Sequence, residues 1–97
     1  EVQIAHEYYN KGDKENARRA YQDLAKRPEN LPAIYANYLN LLLDAGQYKL
    51  AEDLVERMIR RDDRISLKAD AGVVYLRSGN VAKADKYFRE LIRAQGQ

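Results

Sequence analysis

GNVAKADKYF, residues 79–88, is the clearest of three copies of one pattern in this 97-residue chain. A glycine is followed five residues later by alanine and nine residues later by a large apolar or aromatic side chain, here Ala84 and Phe88. The same spacing starts at Gly12 and at Gly46, so the three glycines are 34 and 33 residues apart. The chain is therefore a tandem repeat. We place the repeats at about residues 1–30, 31–64 and 65–97.

Apolar residues flank each glycine at helical spacing. They are Tyr8, Leu42 and Tyr75, four residues before the glycine, and Leu24, Met58 and Leu91, twelve residues after it. Apolar positions three or four residues apart on both sides of a glycine predict two amphipathic helices joined by a tight turn. The predicted helices are 1–11, 14–27, 31–45, 48–61, 65–77 and 81–94.

Individual residues refine this prediction. Pro28 should end the second helix, because proline lacks the amide donor of a helix interior and pushes the preceding residue out of the helical region. On the first helix we expect Ile4, Ala5 and Tyr8 to face inward. In the third repeat Gly72 should let the backbones of the two helices approach each other.

The repeat resembles the tetratricopeptide repeat family, whose unit is a helical hairpin of about 34 residues with small, aromatic and alanine positions at these spacings. The resemblance implies an all-α fold, a right-handed α-solenoid of three antiparallel helical hairpins with six helices, as one domain over residues 1–97. The family is defined by a scaffold and not by a chemistry. Because the chain begins with Glu1 and has no signal-like apolar segment, we interpret it as a piece of a longer protein.

Composition narrows the classes of function. Seventeen basic against 15 acidic residues give a net charge of +2, too balanced for a nucleic-acid footprint, and acids interleave the basic clusters at 57–64 and 83–93. No apolar run approaches the roughly 18 residues of a membrane span. With no cysteine there is no disulfide, thiol nucleophile or zinc-thiolate site. The absence of cysteine fits a reducing or an oxidising compartment, so localisation stays open.

No constellation of residues predicts catalysis. His6 is the single histidine and lacks a carboxylate and nucleophile arranged around it. The adjacent acids Asp62 and Asp63, like Glu52 and Asp53, diverge in direction on a helix and are interpreted as solvated surface or helix-end capping. We therefore predict a protein that is not an enzyme and uses no metal or cofactor.

By the register of the resemblance, the first helix of each hairpin lines a concave groove that binds an extended or helical peptide. The groove residues are His6, Tyr9, Asn10, Ala36, Asn37, Asn40, Asp44, Asp70, Val73 and Arg77. Tyr9 has the best claim of the tyrosines to contact a ligand, because it falls beside the packing position of Tyr8. Family members that grip a C-terminal carboxylate use lysines, arginine and asparagines on this face, and only Asn37 matches them here. We predict against that kind of recognition.

Two hypotheses of function remain. The first is a non-catalytic scaffold whose groove binds a peptide or protein segment, including a segment of its own parent chain. The second is a structural module that self-assembles through its end faces and has no groove ligand. We predict that Tyr87, Leu91 and Ile92 form the contact surface of the C-terminal end face. In the isolated chain we expect Tyr87 and Ile92 to be partly exposed, and we expect the parent protein or a second copy of the chain to cover them. Helical-repeat RNA binding is disfavoured by the repeat length and the balanced charge of the groove.

Overall fold

The computed structural model describes residues 1–96, and within them it contains six α-helices, one short 3₁₀ helix at Pro28–Asn30 and no strand. The α-helices are α1 (Val2–Asn10), α2 (Lys14–Leu24), α3 (Leu31–Asp44), α4 (Tyr48–Arg61), α5 (Ile65–Ser78) and α6 (Val81–Gln95). The prediction of an all-α fold with six helices is confirmed. The chain forms two compact units: unit 1 is Glu1–Gly46, and unit 2 begins at Gln47.

The three repeat glycines make the predicted tight turns. Gly12, Gly46 and Gly79 have φ values of 83°, 71° and 92°, in the left-handed region that favours glycine. A Cβ atom added at any of them would meet nothing within 4 Å, so backbone conformation and not space requires the glycine. Asp13 and Asn80 then cap α2 and α6, because each side chain accepts a hydrogen bond from the backbone N–H three residues later.

Unit 1 packs α2 against both α1 and α3, and α1 also contacts α3. Ala5, Ala17 and Tyr21 are completely buried. The Tyr21 ring lies 6.0 Å from the ring of Tyr38, which joins α2 to α3. The small residues allow the helices of the first hairpin to approach, as the repeat pattern predicts.

The second helix ends at Leu24, three residues earlier than predicted. Arg27 is extended, with φ −105° and ψ 115°, because it precedes Pro28. The side-chain amide of Asn30 donates to the Leu24 carbonyl oxygen at 3.0 Å and satisfies the helix end. Pro28 is therefore the first residue of the 3₁₀ helix. Its effect on the backbone also includes the extended conformation of Arg27, the residue before it.

The inward orientation predicted for Ile4 is wrong, because its side chain is 54% exposed. Ile4 stands eight residues before its glycine, as Tyr38 and Ala71 do. Those two residues are buried, and their helices, α3 and α5, each pack against the helix that precedes them. Within residues 1–96 no helix precedes α1, so the corresponding face of α1 is open.

Unit 2 packs α5 against both α4 and α6. Its apolar core is drawn from all three helices: Ala51, Leu54, Val55, Met58, Leu67, Ala71, Val74 and Ala84. A Cβ atom added at Gly72 would lie 2.6 Å from Cε1 of Phe88. Gly72 on α5 thus makes room for the half-buried Phe88 ring of α6.

Candidate protein-interaction surface

Hydrogen bonds connect four of the predicted groove residues in unit 1. Nδ1 of His6 lies 2.6 Å from Oη of Tyr21, and Nδ2 of Asn37 donates to the same oxygen at 3.0 Å. Nδ2 of Asn40 donates to Oη of Tyr9 at 3.3 Å. These five side chains, contributed by α1, α2 and α3, are called the polar cluster below.

The Tyr21 hydroxyl holds the centre of the polar cluster. Burial raises the pKa of Tyr21, and the hydrogen bond from Asn37 offsets only part of that effect, so the phenol keeps its proton at neutral pH. The hydroxyl accepts from the Asn37 amide N–H, and its hydrogen bond with Nδ1 of His6 makes it the point that joins α1, α2 and α3.

Aromatic rings support the polar cluster. The ring of Tyr21 lies 5.7 Å from the ring of His6 and 6.4 Å from that of Tyr9, in tilted and edge-on arrangements. His6 and Tyr9 are half-buried, as is Asn37, while Asn40 is exposed. The surface of unit 1 therefore presents accessible polar groups on a packed aromatic base. The sequence interpretation placed Tyr21 in the core and missed the role of its hydroxyl. The sequence did contain a sign of that role, because the first repeat has tyrosine at the position where the third repeat has phenylalanine.

The remaining groove residues of unit 1 lie at the surface. Asn10, Ala36 and Asp44 are exposed. The Asp44 carboxylate is 3.5 Å from Nζ of Lys14, and both side chains are more than half exposed, so the ion pair contributes little to stability.

The three groove residues of unit 2 are on α5. Asp70 is half-buried, and Val73 and Arg77 are exposed. Their spacing of three and four residues puts them along one face of the helix. The face combines one apolar and two oppositely charged side chains.

A second set of polar side chains joins the three helices of unit 2. The hydroxyls of Tyr75 and Tyr87 both donate to Oε2 of Glu56, at 2.7 and 2.8 Å. The two rings are stacked, with centroids 5.9 Å apart and an angle of 8° between their planes. Nζ of Lys83 lies 3.8 Å from the same carboxylate oxygen and 4.9 Å from the centre of the Tyr75 ring. This tyrosine–carboxylate lock connects α4, α5 and α6.

The lock explains why the exposure predicted for Tyr87 is wrong. Tyr87 is only 8% exposed, because its ring stacks on Tyr75 and its hydroxyl reaches Glu56 on α4. Burial and the carboxylate together raise the pKa of Tyr87 to about 12. Ile92 is 69% exposed, as predicted, and Leu91 is half-buried.

A comparison with known protein families finds the tetratricopeptide repeat at residues 2–30 and 66–97, which is more than half of the chain. The chain belongs to the tetratricopeptide repeat family. A comparison with curated proteins finds no match to this sequence. The matched segments contain the first and third hairpins of a tetratricopeptide repeat array, and the helix order agrees with a helical solenoid of this family. Between them, Leu39 occupies the position of Ala5 and Gly72, where the family has a small residue.

Tetratricopeptide repeats generally mediate protein–protein interaction or scaffolding and generally have no catalytic role. Within residues 1–96, no group of three or more histidine or acidic side chains is placed to hold a metal ion. No helix in that range is long and apolar enough to cross a membrane.

Proposed function

We propose that the protein is a non-catalytic interaction scaffold that binds a peptide or protein segment on the exposed faces of α1, α3 and α5. The main support for this proposal is the polar cluster. Its hydrogen bonds hold accessible imidazole, phenol and amide groups in place before a partner arrives. Groups that are already ordered lose less conformational entropy on binding, so more of their interaction energy is available as affinity.

The chemistry of the polar cluster suits a peptide backbone. Asn37 and Asn40 are three residues apart on α3, a spacing that puts side chains on the same face of a helix. Each carboxamide can accept from a peptide N–H and donate to a peptide carbonyl. The short side chain of Ala36 leaves room beside Asn37 and Asn40 for a backbone to approach.

The α5 residues are proposed as a second contact set. Val73 offers an apolar contact between Asp70 and Arg77, which differ in charge. A partner segment of mixed sequence, with apolar side chains and both signs of charge, fits this face better than a uniformly charged polymer. We accordingly propose a protein partner and no nucleic acid.

The test begins with selection of peptides from a displayed random library on the immobilised 97-residue chain. We expect a selected peptide to bind Asn40→Ala about 2- to 12-fold more weakly, because a neutral hydrogen bond contributes about 0.5–1.5 kcal/mol and 1.4 kcal/mol is about tenfold. Gln22→Ala is the control, since it removes an exposed carboxamide from α2. Equal affinities of both variants for every selected peptide would contradict the proposal.

A further inference from the structure

The first and third hairpins can be compared residue by residue, because their glycines are 67 positions apart. In unit 1, α3 packs against the outer face of the first hairpin and leaves Tyr21 at 0% and Ala25 at 6% exposure. The corresponding residues of the third hairpin are Phe88, which is half-buried, and Ile92, which is 69% exposed. The face that a helix covers in unit 1 is open in unit 2.

The open face differs from its covered counterpart in chemistry. Three side chains of the first hairpin bind polar groups of α3: the hydroxyl of Tyr9 binds Asn40, the hydroxyl of Tyr21 binds Asn37, and the ammonium of Lys14 pairs with Asp44. Their counterparts in the third hairpin are Leu76, Phe88 and Val81. A helix as polar as α3 would leave its amides and carboxylate unpaired on this face, at a cost in free energy. The face therefore fits a helix with an apolar stripe.

The chain itself carries such a stripe on α6. Among the large apolar side chains that residues 1–96 expose, most belong to the third hairpin: Ile65, Val73, Leu76, Val81 and Ile92. Val81, Phe88 and Ile92 are seven and four residues apart, so they form one line along α6. This line, together with the exposed Leu76 of α5, which corresponds to Tyr9, is called the α6 face below.

The charged side chains beside the apolar stripe of α6 favour one orientation of a second α6 helix packed against it. Asp85 lies toward the beginning of the helix and Arg89 one turn later, and they form an exposed ion pair at 2.6 Å. If two copies of α6 pack antiparallel, Val81 of one lies opposite Ile92 of the other. Asp85 of each then lies near Arg89 of the other copy. Apolar and charged groups are both complementary in this arrangement.

We propose that the α6 face is a homodimer interface, on which a second copy of this chain docks its own α6 in antiparallel orientation, in the place that α3 takes on the first hairpin. The contact is two-fold symmetric, since the same residues face each other from both copies. It is separate from the polar cluster of unit 1, so it holds whether or not the proposed peptide binding is correct.

Sedimentation equilibrium of the 97-residue chain tests the interface. We expect a monomer–dimer equilibrium whose dissociation constant rises at least tenfold in Ile92→Asp. Ile4→Asp is the matched control, because it introduces the same charge at an exposed isoleucine on α1 and should leave the constant unchanged. Circular dichroism of both variants checks that they keep their helices. A wild-type chain that is strictly monomeric at its highest soluble concentration overturns the proposal and assigns the α6 face to another occupant, such as a further part of a longer parent chain.

A charge exchange tests the antiparallel geometry. Asp85→Arg and Arg89→Asp should each weaken self-association, because each puts like charges together across the two-fold axis. Mixed in equal amounts, the two variants should form heterodimers in preference to either homodimer, since every cross-contact then pairs Arg with Asp. A mixture with no such preference contradicts the two-fold arrangement.

Discussion

Glu56 is the residue at which we expect unit 2 to be most sensitive to a single substitution. Its Oε2 atom accepts hydrogen bonds from Tyr75 and Tyr87, and a hydrogen bond to a charged group is worth about 1.5–3 kcal/mol. Lys83 is 43% exposed, so its ion pair adds little. The substitution also removes the free-energy cost of desolvating the carboxylate, and this offsets part of the stability that is lost with the hydrogen bonds. We expect Glu56→Ala to lower the free energy of unfolding by about 3 kcal/mol, a large share of the roughly 5–15 kcal/mol of a typical domain.

Glu56→Gln separates the effect of charge from that of the hydrogen bonds. Glutamine keeps an acceptor oxygen of similar reach, so the phenols of Tyr75 and Tyr87 can still donate, now to a neutral group. The cost should be about half that of Glu56→Ala, since hydrogen bonds to charged groups are roughly twice as strong as neutral ones. Urea unfolding of the wild type and both variants at neutral pH, followed by circular dichroism, measures the differences.

The pH dependence has a defined sign. Burial raises the pKa of Glu56, but the hydrogen bonds from Tyr75 and Tyr87 and the charges of Lys83 and Arg60 outweigh it and lower the pKa below the ordinary 4.5. The carboxylate therefore contributes stability above about pH 4.5 and loses it as the pH falls through the lower folded value. We expect the advantage of the wild type over Glu56→Gln to shrink in that window. A cost below about 1 kcal/mol for Glu56→Ala, or a wild-type advantage independent of acid pH, would refute this account of the lock.

Three further substitutions test the packing. Gly72→Ala should destabilise the wild type by about 1–3 kcal/mol, because the new Cβ meets Phe88, but it should stabilise a Phe88→Ala background by about 0.5–1 kcal/mol through helix propensity; the same sign in both backgrounds contradicts the contact. Gly79→Ala should cost about 1–2 kcal/mol in denaturant unfolding and Gly79→Asn less, since asparagine tolerates a left-handed conformation better. Asn37→Ala should cost about 0.5–1.5 kcal/mol, because the Tyr21 hydroxyl loses one hydrogen bond but keeps the one with His6. Adding Tyr21→Phe removes the bond with His6 and should cost a similar further amount; a double variant as stable as Asn37→Ala would argue against that reason.

The helices were predictable because their ends depend on local chemistry. The bounds of α4, Tyr48–Arg61, agree with the prediction, since Gly46 takes a left-handed conformation just before the helix. The end of α2 was missed by three residues because the extended backbone before Pro28 and the Asn30 side chain act together. The sequence predicts the effect of Pro28 on the residue before it, but it does not predict where the Asn30 side-chain amide lies.

The polar contacts were harder to predict, because they depend on where long side chains from different helices end. Tyr75 and Tyr87 are 19 and 31 residues from Glu56, and no local periodicity indicates that all three converge on one oxygen. Periodicity alone placed Tyr87 on an open face. In unit 1 the register of the repeat predicted that His6 and Asn37 share the groove face, but the hydrogen bonds that join both to the buried hydroxyl of Tyr21 depend on three-dimensional packing.

Backbone amide chemical shifts, measured while a library-selected peptide is titrated into the 97-residue chain, test the proposed function most directly. We predict that the largest changes fall on the exposed faces of α1, α3 and α5, with His6, Asn40 and Val73 among them. The same titration with Asn40→Ala should require more peptide to reach saturation. Changes confined to α2, α4 and α6, for example around Arg57 and Arg89, would contradict the assignment of the binding surface.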